Sequence, residues 1–236
     1  MYKLFFKIAV SVVIISSFSA RSAAQNNPYI DGRALHFGFF VGLNAFDFDV
    51  RYKNDVQFDG VKYAVADARL KPGFTVGVIT DFRLHDYWNL RINPMLQFAE
   101  RELTYKNLTN NELTRHNIIS VPVSLPVYLK YSAERTGNYK PYLIGGVGVS
   151  YDLSRNEEKP VLLRAFDFYV EFGLGCDLYF SFFKLAPELK LAIGFNDLLT
   201  PLNERNSGFI SDTDRKYTNM LNRLGSRMLT LVFNFE

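Results

Sequence analysis

Between Phe166 and Phe195 apolar residues recur at every second position. Phe166, Phe168, Val170, Phe172, Leu174, Cys176 and Leu178 are apolar, while Asp167, Tyr169, Glu171, Gly173, Gly175, Asp177 and Tyr179 are small, polar or charged. A period of two describes a strand with two unlike faces. After Phe180 and Ser181 the parity switches: Phe183, Leu185, Pro187, Leu189, Leu191, Ile193 and Phe195 are apolar, whereas Lys184, Ala186, Glu188, Lys190 and Gly194 are not. The switch predicts a hairpin. With Phe180-Ser181 as its two-residue loop, Tyr179 lies opposite Phe182, Asp177 opposite Lys184 and Glu171 opposite Lys190, so that opposite charges meet on the polar face. Phe-Ser lacks the Gly or Asn that such tight turns favour.

The same alternation recurs along the chain. A first strand is predicted from Leu35 to about Phe46, with Leu35, Phe37, Phe39, Val41 and Leu43 on one face and His36, Gly38, Gly42 and Asn44 on the other. The second, Gly73 to Arg83, turns Phe74, Val76, Val78 and Phe82 outward and Thr75, Gly77, Asp81 and Arg83 inward. A third starts at Trp88, with Leu90, Ile92, Leu96 and Phe98 outward and Arg91, Gln97 and Arg101 inward; a three-residue turn around His85-Asp86-Tyr87 sets Asp81 across from Arg91. The fourth shows Ile119 to Tyr131 at every odd position, with Ser120, Pro122, Ser124, Pro126, Tyr128 and Lys130 between them. Its two prolines conflict with an interior strand, since each lacks a ladder donor. Tyr139 to Tyr151 and Arg227 to Glu236 supply the fifth and eighth.

The fold predicted is all-β, an eight-stranded antiparallel up-and-down transmembrane β-barrel with short periplasmic turns and long extracellular loops. Connections after the first, third, fifth and seventh strands (Asp47 to Leu70, Lys106 to Asn117, Asp152 to about Leu163, Asn196 to Gly225) are long, and the intervening ones are short. Outer-membrane barrels segregate loop length in this way and carry both ends on the periplasmic side. A soluble sandwich or lipocalin-like barrel, its apolar face turned in, is the alternative. Against it stand apolar faces about ten residues long, the length of a tilted membrane-crossing strand, and polar faces mixing Gly, Ala and charges of both signs. Such a lumen is filled by the side chains of Asp81, Arg83, Arg91, Glu171, Asp177, Lys184, Glu188 and Lys190 and conducts no protein. Trp88, Tyr131, Tyr139, Phe180, Phe183 and Phe235 form a membrane girdle at the rim of the short turns; Phe46, Phe98, Tyr151 and Phe166 form the other.

Bulk composition changes this picture little. The formal charge of +3 over 236 residues does not argue for nucleic acid, and a mean hydropathy of −0.05 is what barrels show when only alternate residues face lipid. Lys3 and Lys7 with the apolar run Ile8 to Phe18 and Ser22-Ala23-Ala24 read as a secretory signal over residues 1–24. Residues 25–34 form a periplasmic lead, and 35–236 the barrel. Cys176 is the only cysteine and sits on an apolar face, so no intrachain disulfide is possible. His36, His85 and His116 fall on a strand, a turn and a loop without metal-ligand spacing. His116 beside Ser120 is the one arrangement that could imitate an outer-membrane hydrolase. No catalytic residue, cofactor, metal or small-molecule ligand is expected; lipid is.

HFGFFVGLNAFDF (His36 to Phe48), VPVSLPVYLKY (Val121 to Tyr131), YKPYLIGGVGVSYDL (Tyr139 to Leu153), the Asp167 to Phe195 segment and LGSRMLTLVFNFE (Leu224 to Glu236) resemble the PorT family, called SprT in gliding relatives. The resemblance covers nearly the whole mature chain. The first-strand stretch and Phe-Lys-Leu-Ala-Pro-Glu-Leu-Lys are its more particular elements. It implies an outer-membrane component of the type IX secretion system, with other secretion components as partners, needed to export proteins bearing a C-terminal sorting domain. A generic small barrel acting in adhesion or envelope integrity is the competing expectation. The end of the chain resembles the strand signal read by barrel-insertion machinery, although Glu236 follows the last aromatic.

Overall fold

The structure is a computed structural model and describes residues 33–52, 57–58, 61–107, 113–154, 162–201 and 221–236. The signal segment 1–24 and most of the lead lie outside the described residues, as does the side chain of His116. Strand segments form one antiparallel sheet. Register reduces them to eight barrel strands. Asp81 faces Arg91 and Val76 faces Leu96, the same offset on both sides of Asn93-Pro94, so Trp88–Ile92 and Met95–Asn107 are one third strand. Likewise Trp88 faces Tyr131 and Ala99 faces Ser120, which joins Leu113–Ser120 to Pro122–Ser132 as the fourth. The others are Leu35–Tyr52, Val61–Arg83, Tyr139–Asp152, Phe166–Tyr179, Lys184–Gly194 and Leu221–Phe235. A short segment, Gln57–Phe58, pairs back on the second strand at the tip of the first hairpin.

The first strand pairs with both the second and the eighth, which closes the sheet. A circuit around the wall runs His36, Asp81, Arg91, Tyr128, Gly146, Glu171, Ala192, Met228 and returns at Phe46, ten residues further along the first strand. That stagger sets the shape. Ten rises of ~3.3 Å against eight spacings of ~4.8 Å tilt the strands by about 40° and give a backbone radius of roughly 8 Å. Side chains from facing walls therefore meet on the axis.

Burial is inverted relative to a water-soluble domain. Phe37, Leu43, Leu143, Val147, Phe172 and Leu174 are exposed on the outer face, whereas Arg91, Glu188, Lys190 and Asn234 are fully enclosed. An exposed apolar band of this extent would not persist in water. Trp88 and Phe98 stand ten residues apart on the outer face of the third strand, about 25 Å along the axis at ~2.5 Å per tilted residue, the height of the apolar band of an outer-membrane barrel.

The prolines of the fourth strand sit inside the sheet, facing Asp152 and Gly148 of the fifth strand, while their neighbours pair with the third. Asn93 N–H donates to Pro126 O at 3.2 Å, and the return bond would need the N–H that Pro126 lacks. The third strand is interrupted opposite, at Asn93-Pro94, so the two defects coincide and the ladder resumes beyond them.

Several boundaries differ from the sequence reading. The stretches Asp47 to Leu70 and Lys106 to Asn117 are mostly strand rather than loop, so His116 lies on a strand, and the eighth strand starts at Leu221, inside the expected loop. Polar residues pair as readily as apolar ones above a lipid belt, where water wets both faces; hydrophobic alternation fades there although the ladder continues. Beyond Phe46–Lys71 the first strand keeps to the eighth and the second to the third. The sixth and seventh strands slip by one residue each from the expected register: Tyr179 faces Lys184, and Phe180 N–H donates to Phe183 O at 3.0 Å around Ser181-Phe182. The stacked Phe180 and Phe183 rings, 5.0 Å apart, close this turn. A slip on both strands preserves parity, so the same side chains still face inward.

Phe40 fills the lumen beside Gly77, where an added Cβ would come within 2.5 and 2.6 Å of its ring. Gly77→Val is expected to displace Phe40 and destabilise the barrel by about 1–3 kcal/mol, read as a lower urea midpoint for unfolding from lipid vesicles. A midpoint equal to that of the outward control Val78→Leu would contradict this packing.

Candidate functional site

The interior is organised around Arg91, whose side chain is wholly buried. The third strand aims it across the axis, and three elements supply carboxylates. Its Nε donates to Asp81 Oδ2 at 2.9 Å, Nη1 to Glu188 Oε2 at 3.3 Å and Nη2 to Glu236 Oε1 at 2.9 Å. Asp81 also accepts from Asn89, and Tyr142 donates its hydroxyl to Glu188 at 2.7 Å. Next to this hub Lys130 donates to both oxygens of Asp177, at 3.1 and 2.8 Å, with its ammonium 3.9 Å from the centre of the Tyr142 ring. Lys184 pairs with Glu236 and lies 4.0 Å from Asp177.

Further along the axis Lys190 lies 3.8 Å from Glu171 and 3.5 Å from Glu188, and donates to Tyr128 OH at 3.2 Å. Tyr128 in turn donates to Glu171 at 2.6 Å. Carboxylates and cations from five of the eight strands, together with Glu236 and the Tyr142 hydroxyl of a sixth strand, thus form one connected network. Burying such charges is tolerable because each has a partner of opposite sign, and Asp81, Glu171, Glu188 and Lys190 gain a further hydrogen bond from a neutral side chain.

The sequence-predicted residues are distributed as follows. Asp81, Arg91, Glu171, Asp177, Lys184, Glu188 and Lys190 all point into the lumen and join this network. Arg83 does not. It stands at the rim, where solvent reaches it, and pairs with Asp86 of the adjacent turn at 2.7 Å. Asp177–Lys184 and Glu171–Lys190 approach diagonally rather than face to face, because the pairing is offset by two residues from the expected register. Missed altogether were Tyr142 and Glu236. The strict alternation of the fifth strand could have revealed Tyr142; Glu236 enters because its backbone exchanges two bonds with Lys184, at 2.7 and 3.0 Å, which carries the ladder past Phe235.

At the short-turn rim, Trp88 packs on Tyr131 at 4.7 Å, Phe183 lies 6.2 Å from Phe235 and Phe180 stacks on Phe183. Tyr139 is exposed beside them. Tyr87 donates to Glu134 of the next turn at 2.9 Å, and this bond to a carboxylate holds its hydroxyl above its usual range. At the opposite rim Phe74 stacks on Phe98 at 4.4 Å, and Phe166 meets Phe168 edge-on. Tyr151 is exposed there, but Phe46 is not part of that ring: it is buried inside, against Arg101. Its parity is that of Asn44, an inward position.

That opposite end is covered by a feature with no sequence signal. Segments after the fifth and seventh strands cross the mouth, joined by the Leu163–Leu199 bridge and by bonds from Arg164 N–H to Leu198 O and Thr200 N–H to Leu162 O. Asp197 anchors the crossing by accepting from the N–H groups of Leu199 and Leu224.

A closed antiparallel ring, apolar outside and filled with paired charges, is the build of an outer-membrane β-barrel. The chain belongs to the family described as outer membrane protein beta-barrel domain, whose model matches residues 23–200. Among solved structures, the outer membrane protein OprG from Pseudomonas aeruginosa is similar, with 11% identity and a TM-score of 0.41 over 84% of this chain and 93% of that one. No curated protein matches significantly.

Removing one member of a buried pair leaves a stranded charge. Lys130→Met is expected to cost about 3–5 kcal/mol, and the double change Lys130→Met with Asp177→Leu distinctly less than the single one. Urea unfolding of the vesicle-embedded barrels measures both, and a double variant weaker than either single one would refute this pairing.

Proposed function

We propose that this protein is a non-enzymatic, non-conducting outer-membrane barrel that serves the type IX secretion system as an accessory or scaffolding component. In this role it is required for export of proteins that carry a C-terminal sorting domain. The observation that carries the non-conducting part is the lumen: Arg91 and its three carboxylates span the axis, and a wall of roughly 8 Å radius leaves no passage for a polypeptide. The secretion role rests on the resemblance of His36 to Phe48 and of Phe183 to Lys190 to PorT barrels. The first and eighth strands meet the short-turn end together. In the proposed orientation that end is periplasmic, the girdle of Trp88, Tyr131, Tyr139, Phe180, Phe183 and Phe235 lies at the inner lipid interface, and the mouth covered by the Leu163–Leu199 bridge faces outward. Lipid surrounds the wall, and partners meet the parts that project from it.

A small barrel in adhesion or envelope integrity is the second reading, favoured by a family match that describes an outer-membrane barrel and no more. A strain lacking the protein separates the two. The secretion role predicts sorting-domain precursors held in the periplasm and loss of their surface activity, with the outer membrane otherwise intact; normal export would sink it. Purified barrel in a planar bilayer is expected to give no stepwise conductance, and steady single-channel steps would overturn the filled lumen.

A further inference from the structure

At the bridged end of the lumen the Leu163–Leu199 crossing covers a cavity of about 40 Å³, lined by Arg101, Asp167, Phe46, Leu163, Leu198 and Met228 among others. Arg101 is 5% exposed, yet its Nε and Nη1 have no hydrogen-bond partner among the described residues. The Phe46 and Phe48 rings lie 4.7 and 4.6 Å from its guanidinium carbon. Ring faces attract the charge, but they leave in-plane donors unmet. From the sixth strand Asp167, 7% exposed, lines the same cavity, and its buried Oδ1 also has no partner among the described residues.

Of the other polar groups around the cavity, the Tyr169 hydroxyl is likewise without a partner among the described residues, and several more are engaged. Asp152 Oδ1 accepts from Val121 N–H at 3.0 Å and from Ser154, Ser124 donates to Gln97 at 3.0 Å, and Gln97 donates to the Met228 sulfur. What stays unmet among the described residues is a cation's donors on one wall, a carboxylate oxygen on another and the Tyr169 hydroxyl. A buried charge with unmade bonds is costly, and the same barrel gives each guanidinium nitrogen of Arg91 a carboxylate partner.

The space is small, room for about three waters at roughly 10–15 Å³ each. We propose that it binds a small carboxylate bearing a hydrogen-bond donor on the adjacent carbon, an α-amino or α-hydroxy acid the size of glycine or glycolate. The carboxylate accepts from Arg101, the amino or hydroxyl group donates to Asp167, and the single methylene rests among Phe46, Leu163, Leu198 and Met228. Such a ligand ties the third strand to the sixth. Sequence alone gave no reason to expect a small ligand, and the inference does not rest on the secretion role.

The test is a titration of the full mature barrel in detergent micelles with glycine, glycolate and acetate, followed by saturation-transfer NMR. Glycine or glycolate is expected to saturate in the millimolar range, with acetate about tenfold weaker for want of the donor. Which of the two binds more tightly identifies the amino or the hydroxy acid. Asp167→Asn should abolish the advantage over acetate, and Arg101→Gln should weaken every probe at least about tenfold. Should Arg101→Gln fail to fold, the ranking on the unaltered protein and the Asp167→Asn titration decide alone. No saturable binding, acetate binding as tightly as both others, or unchanged affinity in folded Arg101→Gln would each overturn the proposal and leave a cavity that holds only water.

Discussion

Everything inside this barrel depends on one requirement: a charge enclosed by a wall of roughly 8 Å radius has no water to turn to, so its partners must come from other strands. Arg91 meets it with three carboxylates, Asp81 from the neighbouring strand, Glu188 from the seventh and Glu236 after the eighth. These pairs fix distances across the axis as well as around the circumference. The hydrogen-bonded wall sets stagger and tilt, and the network holds the section round.

The outside obeys the opposite rule. Lipid offers nothing to a polar group, so the outer face carries Phe, Leu and Val, and closure of the first strand on the eighth leaves no unpaired edge in the membrane band. Aromatic contacts gather where that band ends, at Trp88–Tyr131 on one side and Phe74–Phe98 on the other. Beyond the band water can satisfy the backbone, and the wall there divides between the first and second strands. The filled axis and the projecting hairpins together are the ground on which a scaffolding role, rather than a conduit, is proposed.

The two ends of the lumen differ. At the short-turn end, cations and carboxylates are matched and Arg83 turns to solvent and Asp86. At the bridged end, Arg101 and Asp167 line one cavity with donors and an acceptor unmet. Charges held by opposite charges serve stability; orphaned donors and acceptors beside a cavity are where a ligand gains most from entering.

The sequence by itself determined which side chains face in and which face out. Parity is a local property, and it survives errors of strand length and even the slip at Phe180–Phe183, since that slip moves both strands together. The Asp81–Arg91 pair was legible for the same reason: a three-residue turn of known ends sets the register across it. Where Phe46 points was legible too, had the first strand's parity been followed past Asn44. The tertiary structure alone decided the rest. Glu188 reaches Arg91 from a strand 97 positions away, Glu236 joins through the backbone of Lys184, and the Leu163–Leu199 crossing brings a cover over Arg101 and Asp167. These contacts depend on how far the sheet staggers before it closes, a sum over all eight registers that no single segment encodes.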